Sequence, residues 1–232
     1  MKGRSKEGSG GNRRLAVRLR TARGRKLAST RWLTRQLNDP YVEEAKRRGY
    51  RSRAAFKLAE IDDKHPLLRT GMSVVDLGAA PGGWSQISAQ RVQLMAGKGR
   101  VIAVDVVEMG PISGVTALNL DLTDSESAGR IRDALNGKKA DLVLSDMHAP
   151  ATGHKQTDHL RIMGLAEAAG AFACDVLRPG GTFLSKVLQG GTERELLDML
   201  KKRFAKVQHV KPPASRSDSA ELYVLATGFR PE

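Results

Sequence analysis

The residues with the most chemical content are a glycine-crowded turn and four acids. The turn lies in VVDLGAAPGGWSQ (Val74–Gln86), and Asp76, Asp105, Asp121 and Asp146 each close an apolar run. Glycines just after a strand let the backbone come very close to something. A phosphate-cradling loop ends in Gly-Lys-Ser/Thr, but here Gly83 is followed by Trp84 and Ser85. A dinucleotide fingerprint reads G-x-G-x-x-G, whereas Gly78, Gly82 and Gly83 give G-x-x-x-G-G, and Pro81 has no N–H to offer a pyrophosphate. A nucleoside ligand without phosphates fits better. Asp105 suits two ribose hydroxyls, and Asp121 is placed for an adenine edge. Acids without a phosphate grip suit S-adenosylmethionine, whose sulfonium cation favours carboxylates nearby. The competing structural reading is a tight turn for close helix–strand packing. Asp76 is expected to brace the turn rather than take part in chemistry.

These residues need a scaffold that brings strand ends together. The spacing predicts strands over Ser73–Leu77, Arg100–Val106, Thr116–Leu120, Ala140–Ser145, Thr182–Val187, Lys206–Val210 and Glu221–Thr227. Helices are predicted between them over Gly83–Met95, Ser125–Asn136, His159–Leu177 and Thr192–Phe204. The first strands are short Val- and Ile-rich runs, as expected of a parallel sheet covered on both faces. The alternation makes the chain α/β, a doubly wound, Rossmann-like seven-stranded sheet. The last two strands are joined only by KPPASRSDSA, too short for a helical crossover, so the seventh should run antiparallel. Ahead of the sheet, NDPYVEEAKRRG reads as a helix capped at Asn38 or Asp39, started by Pro40 and stopped at Gly49. Ala54, Leu58 and Ile61 in RSRAAFKLAEID share one face at helical spacing.

Charge adds a partner class. The net charge is +14, and residues 1–35 hold 12 Lys/Arg against one acid, Glu7. A basic arm on a nearly neutral body suits a polyanion, because each neutralised phosphate releases counterions. A solvated tail, a membrane-surface helix and an organelle transit peptide are the competing readings of the arm. We divide the chain into a basic, partly disordered arm (1–37) and a catalytic body (38–232). The one cysteine, Cys174, excludes an internal disulfide and fits a reducing compartment. With no apolar run of about 18 residues and no secretory signal, a cytoplasmic location is expected, with no membrane partner. Five histidines without ligand spacing predict no metal, and 4% aromatics argue against a base-stacking platform.

VVDLGAAPGGWSQ together with RSRAAFKL, LSDMHAP, GGTFLSKV and SAELYVLA resembles the FtsJ/RrmJ family of ribosomal RNA large-subunit 2′-O-methyltransferases, over roughly Arg31 to Gly228. The resemblance implies a seven-stranded methyltransferase sheet and transfer of a methyl group from S-adenosylmethionine to a uridine ribose 2′-OH. The substrate would be 23S rRNA in the large ribosomal subunit, and the enzyme a monomer. It also implies a catalytic set of Lys57, Asp146, Lys186 and Glu221, and cofactor contacts at Gly82, Trp84, Asp105, Asp121 and Asp146.

The residue types suit that chemistry. A 2′-OH must lose its proton, and a lysine accepts one only if desolvation or a nearby like charge favours its neutral form. Lys186 is therefore read as the proton acceptor, Lys57 as the like charge, and Asp146 and Glu221 as orienting acids. Singly, Lys57 reads as a solvated or phosphate-contacting lysine and Glu221 as a strand-edge gatekeeper. RNA grip is expected from Arg31, Arg35, Lys46, Arg47, Arg48, Arg51 and Arg53. The alternatives are a tRNA or mRNA-cap ribose methyltransferase with the same core, a non-catalytic ribosome-assembly binder, and a dinucleotide oxidoreductase.

Overall fold

A computed structural model describes residues 17, 27–190 and 194–231. The basic arm therefore lies mostly outside the described residues, which begin their regular structure with helix α1 (Leu27–Leu37). Helix α2 (Pro40–Arg48) starts as its sequence predicts. The Asp39 side chain accepts the Tyr41 amide, Pro40 opens the first turn, and Gly49 closes the helix in the left-handed region at φ 72°. Helix α3 (Ala54–Lys64) buries Ala55, Leu58 and Ile61.

The sheet follows: β1 (Ser73–Leu77), α4 (Gly83–Arg91), β2 (Arg100–Asp105), β3 (Thr116–Asn119), α5 (Ser127–Ala134), β4 (Ala140–Ser145), α6 (Lys155–Val176), β5 (Leu177–Leu188), α7 (Arg194–Arg203), β6 (Phe204–Val210) and β7 (Glu221–Phe229). Its spatial order is β3-β2-β1-β4-β5-β7-β6. β1 to β5 pair in parallel, while β7 inserts antiparallel between β5 and β6. The short sixth connection forces that reversal, and it places the start of β7 beside the end of β5, with Glu221 opposite Leu188. Alternate residues feed two cores. Val75, Val143, Phe183 and Val224 face α5, α6 and α7, whereas Val74, Leu142, Leu184 and Leu225 face α3 and α4. Double coverage explains the unbroken apolar runs.

Boundaries differ from expectation where side chains or backbone intervene. α6 begins four residues early because the Asp158 carboxylate accepts the Thr152 and Gly153 amides and the Thr152 hydroxyl, shaping the loop just before it. α4 stops at Arg91, and Gln93 turns left-handed at φ 57° before a short 3-10 turn at Leu94–Ala96. β5 starts at Leu177, five residues earlier than expected, through an irregular register against β4 between Ala140 and Leu142.

Two positions beneath the glycine turn are demanding. Gly78 sits at φ 73°, and a Cβ there would lie 2.6 Å from the Met147 Cα, because the ends of β1 and β4 touch backbone to backbone. Asp76 is fully buried; its Oδ2 accepts the Ser85 hydroxyl at 2.6 Å, so it does brace the turn, while its Oδ1 has no hydrogen-bond partner. Burial, with Asp146 and Asp105 adding like charge, pushes its carboxyl up to about 7.

Gly78→Ala should lower unfolding free energy by about 2 kcal/mol or more. Gly137→Ala, at φ 70° with open space around it, should cost only about 1 kcal/mol; urea unfolding compares them. Between pH ~4 and ~7 native Asp76 holds a proton that the unfolded chain has released, so its contribution to stability falls as pH rises, by up to about 1.4 kcal/mol per unit, and levels off above. Asp76→Asn should remove that slope, gaining on the wild type from pH ~4 to ~7 and no further at higher pH.

Candidate active site

The carboxyl ends of the strands carry two cavities that both touch Asp105. One, of about 240 Å³, is lined by Gly78, Asp105, Asp121, Met147, His148 and Leu165 among others. The other, of about 230 Å³, lies against Ala79, Asp105, Glu108, Met109 and Asn119. Together they fall within the ~300–1,000 Å³ of small-molecule sites. Their walls contain Asp105, Glu108 and Asp121 and, among the described residues, no lysine or arginine. That donor set fits a cationic nucleoside and gives no grip for phosphates. Asp105 is fixed by the Ala80 amide on Oδ2 and the Val107 amide on Oδ1, and each oxygen keeps acceptor capacity. The Thr123 hydroxyl and amide both donate to Asp121 Oδ1 and hold that carboxyl below its usual range.

The glycines themselves are accounted for by packing. A Cβ on Gly82 would come within 3 Å of Ile112 Cδ1 and Met109 Sδ, and one on Gly83 would lie 2.5 Å from Ser52 Oγ. Neither Gly82 nor Trp84 lines either cavity. The Trp84 indole is buried; its Nε1 donates to the Ala54 carbonyl at 2.8 Å, and its ring packs on Tyr223 at 5.6 Å. It ties the turn helix to α3 and β7.

On the same rim the structure brings Lys57, Asp146, Lys186 and Glu221 together. Ser145 pairs with Ser185 across β4 and β5, so the next residues, Asp146 just past β4 and Lys186 still within β5, lie side by side. Lys186 Nζ donates to the Asp146 carbonyl at 2.8 Å and lies 3.2 Å from its Oδ1. Lys57, from the first turns of α3, reaches both Glu221 oxygens at 2.7 and 2.8 Å. The four side chains are only 8–16% exposed. Burial pushes the Asp146 carboxyl up, but Lys186, Lys57 and the Tyr223 hydrogen bond outweigh it and hold it below its usual range.

Sequence reasoning missed three members of this cluster. Tyr223 lies opposite Lys186 and donates its hydroxyl to Asp146 Oδ1 at 3.0 Å. Burial and the two carboxylates raise its phenol well above the ordinary value, so it stays a donor. Its signal was available: it is two residues beyond Glu221, on the same face of a strand. The Ser215 hydroxyl donates to Glu221 Oε1 at 2.8 Å. His148 lines the larger cavity, and burial followed by Lys186 lowers its imidazole. Neither carries a sequence pattern that would have marked it.

The basic residues separate into two groups. Lys46, Arg47 and Arg48 are exposed on α2, the two arginines sharing Glu44. Arg35 reaches Asp218 at 3.3 Å on open surface, and Arg31 lies on α1 with its side chain outside the described residues. Arg53, half-buried, and Arg51, still exposed, instead reach backbone carbonyls of distant loops. Arg53 pairs with Asp39 at 2.8 Å and donates to the Ala214 carbonyl, and Arg51 donates to carbonyls of Pro81, Gly110 and Pro111. Among the described residues no group of His, Cys, Asp and Glu could hold a metal, and no helix is long and apolar enough to cross a membrane.

Comparison with known proteins agrees with this geometry. Residues 50–229 match the FtsJ-like methyltransferase family. The ribosomal RNA large subunit methyltransferase E of Parvibaculum lavamentivorans is 60% identical, over 97% of this chain and 91% of that protein. Its Bradyrhizobium diazoefficiens counterpart is 61% identical over 94% and 95%. A Plasmodium falciparum crystal structure assigned as a ribosomal RNA methyltransferase superposes with TM-score 0.70 at 29% identity, covering 79% of this chain and all of that one. A Burkholderia thailandensis N-methyltransferase with bound S-adenosylhomocysteine shares the fold at 17% identity and TM-score 0.50, over 89% and 93% of the two chains. With over three-quarters of its length matched by the family and near-full-length relatives at about this identity, the chain belongs to the FtsJ-like methyltransferase family.

Proposed function

We propose that this enzyme moves the methyl group of S-adenosylmethionine to the ribose 2′-OH of a uridine in 23S rRNA of the large ribosomal subunit, acting as a cytoplasmic monomer. One observation carries the reading: a cluster of two lysines and two acids sits on the same rim as a cavity lined by acids and, among the described residues, by no lysine or arginine. The cofactor supplies an electrophilic methyl on a cationic sulfur. Asp105 takes its ribose hydroxyls, Asp121 its adenine edge, and Asp146 borders it. The turn shaped by Gly82 supports it through backbone, with Trp84 acting from behind.

Lys186 Nζ accepts the proton of the 2′-OH. A neutral amine has two N–H donors and one lone pair. The Asp146 carbonyl and Oδ1 take the two donors, which leaves the lone pair for the hydroxyl. Lys57, clamped by both Glu221 oxygens, sets its ammonium on the same rim. Alignment of the two reactants contributes at least as much as proton removal.

Residues 38–232 form the methyltransferase domain in this reading, and the arm of 1–37 adds RNA grip. Arg31, Arg35, Lys46, Arg47 and Arg48 would meet phosphates, since Arg51 and Arg53 already bind backbone carbonyls of this chain.

Lys186→Ala should bind cofactor within about twofold of wild type by calorimetry, yet methylate unmodified large subunits at least about 100-fold more slowly. Wild-type rates in that variant contradict the base assignment. Nucleoside analysis of the labelled product should show 2′-O-methyluridine in 23S rRNA. Label on tRNA, or on a base, contradicts the substrate.

A further inference from the structure

Arg51 makes four hydrogen bonds within the chain. Its backbone N–H donates to Gln86 Oε1 at 2.8 Å, and Gln86 in turn donates to the Gly49 carbonyl at 3.0 Å, so the chain just before α3 is stitched to α4. Its guanidinium then points along the turn. Nη1 donates to the Pro81 carbonyl at 3.2 Å and to the Gly110 carbonyl at 2.5 Å, and Nη2 donates to the Pro111 carbonyl at 2.6 Å. Pro81 belongs to the glycine turn. Gly110 and Pro111 belong to the connection between β2 and β3, residues 106–115.

That connection is a wall of the cofactor cavity. Val107, Glu108 and Met109 line it, while Met109 and Ile112 fold over Gly82. Its near end is held at the strand by Asp105 on the Val107 amide and by the Asn119 side chain on the Val106 carbonyl. Its far half carries a Gly-Pro step whose carbonyls face one guanidinium. A planar fork bridges three carbonyls at fixed geometry, which an ammonium cannot do.

We propose that Arg51 is a positioning residue for the cofactor: it straps the 106–115 wall to the glycine turn and so holds the cavity closed around the methyl donor. The assignment rests on the reading of that cavity as the S-adenosylmethionine site. It also removes Arg51 from the RNA-contacting set, where its place beside other arginines in the sequence had put it. Because Arg51 lies six residues before Lys57, the same short segment sets the cofactor wall and delivers a lysine to the charged cluster.

The full chain tests this, with S-adenosylmethionine titrated by calorimetry. Arg51→Gln should weaken binding about tenfold or more, and Arg51→Lys, which keeps the charge, by about threefold. In both, amide exchange across 106–115 should quicken, KM for the cofactor should rise more than kcat falls, and the salt dependence of binding to large subunits should keep its slope. Should Arg51→Gln fail to fold, the Arg51→Lys measurements decide alone. Unchanged cofactor affinity and unchanged exchange in Arg51→Lys overturn the strap, as does a reduced salt slope with cofactor affinity intact. Failure of the wild type itself to bind S-adenosylmethionine overturns the cavity assignment beneath it.

Discussion

Two lysines and two acids lie on one rim of the sheet with side chains no more than 16% exposed, and the surrounding structure exists to make that tolerable. A charge drawn out of water is stable only when paired and hydrogen-bonded, and removing one partner of such a pair costs about 3–5 kcal/mol. Each charge here comes from a different element: α3, the end of β4, the end of β5 and the start of β7. Their meeting depends on register. Parallel pairing of β4 with β5 sets Asp146 beside Lys186, and antiparallel insertion of β7 brings Glu221 and Tyr223 to the same end. A parallel seventh strand would carry its first residue to the opposite edge of the sheet.

The side of the rim that carries the two cavities follows the opposite rule. There, among the described residues, acids stand without basic partners, and Asp105 and Asp121 are held by amides and a hydroxyl rather than by cations. One half of the rim is thus neutral overall, while the other attracts positive charge. Trp84 and Tyr223, in contact at 5.6 Å, join the two halves beneath the surface, and Asp146 borders both through Tyr223 and its neighbour Met147. Asp76 lies below, buried and close enough to feel Asp105 and Asp146.

The sheet was legible because a strand covered on both faces must be apolar throughout, as Val74–Val75 and Leu142–Val143–Leu144 are. The reversal of β7 was legible from loop length alone. Positions governed by a single distant side chain were not. Nothing local marks Asp158 as the residue that sets where α6 begins, and Thr152 lies six residues away from it. Arg51 and Arg53 read as part of one basic run with Lys46, Arg47 and Arg48, since charge density carries no direction; only the fold shows the carbonyls they meet, Arg51 while still exposed. The family resemblance supplied Lys57 and Glu221, which their own neighbourhoods would have left as solvated residues. Tyr223 escaped notice because an aromatic inside a strand reads as core, and it is core as well as donor.

Proton transfer to Lys186, as distinct from its positive charge alone, is separated most directly by Lys186→Arg. Arginine keeps the charge and can still donate to Asp146, yet it does not give up its proton near neutral pH. Single-turnover methyl transfer to unmodified large subunits, at saturating cofactor, is the measurement. If Lys186 is the acceptor, Lys186→Arg is as slow as Lys186→Ala, about 100-fold or more below wild type. A Lys186→Arg enzyme running near the wild-type rate contradicts it and leaves Lys186 with a purely electrostatic part.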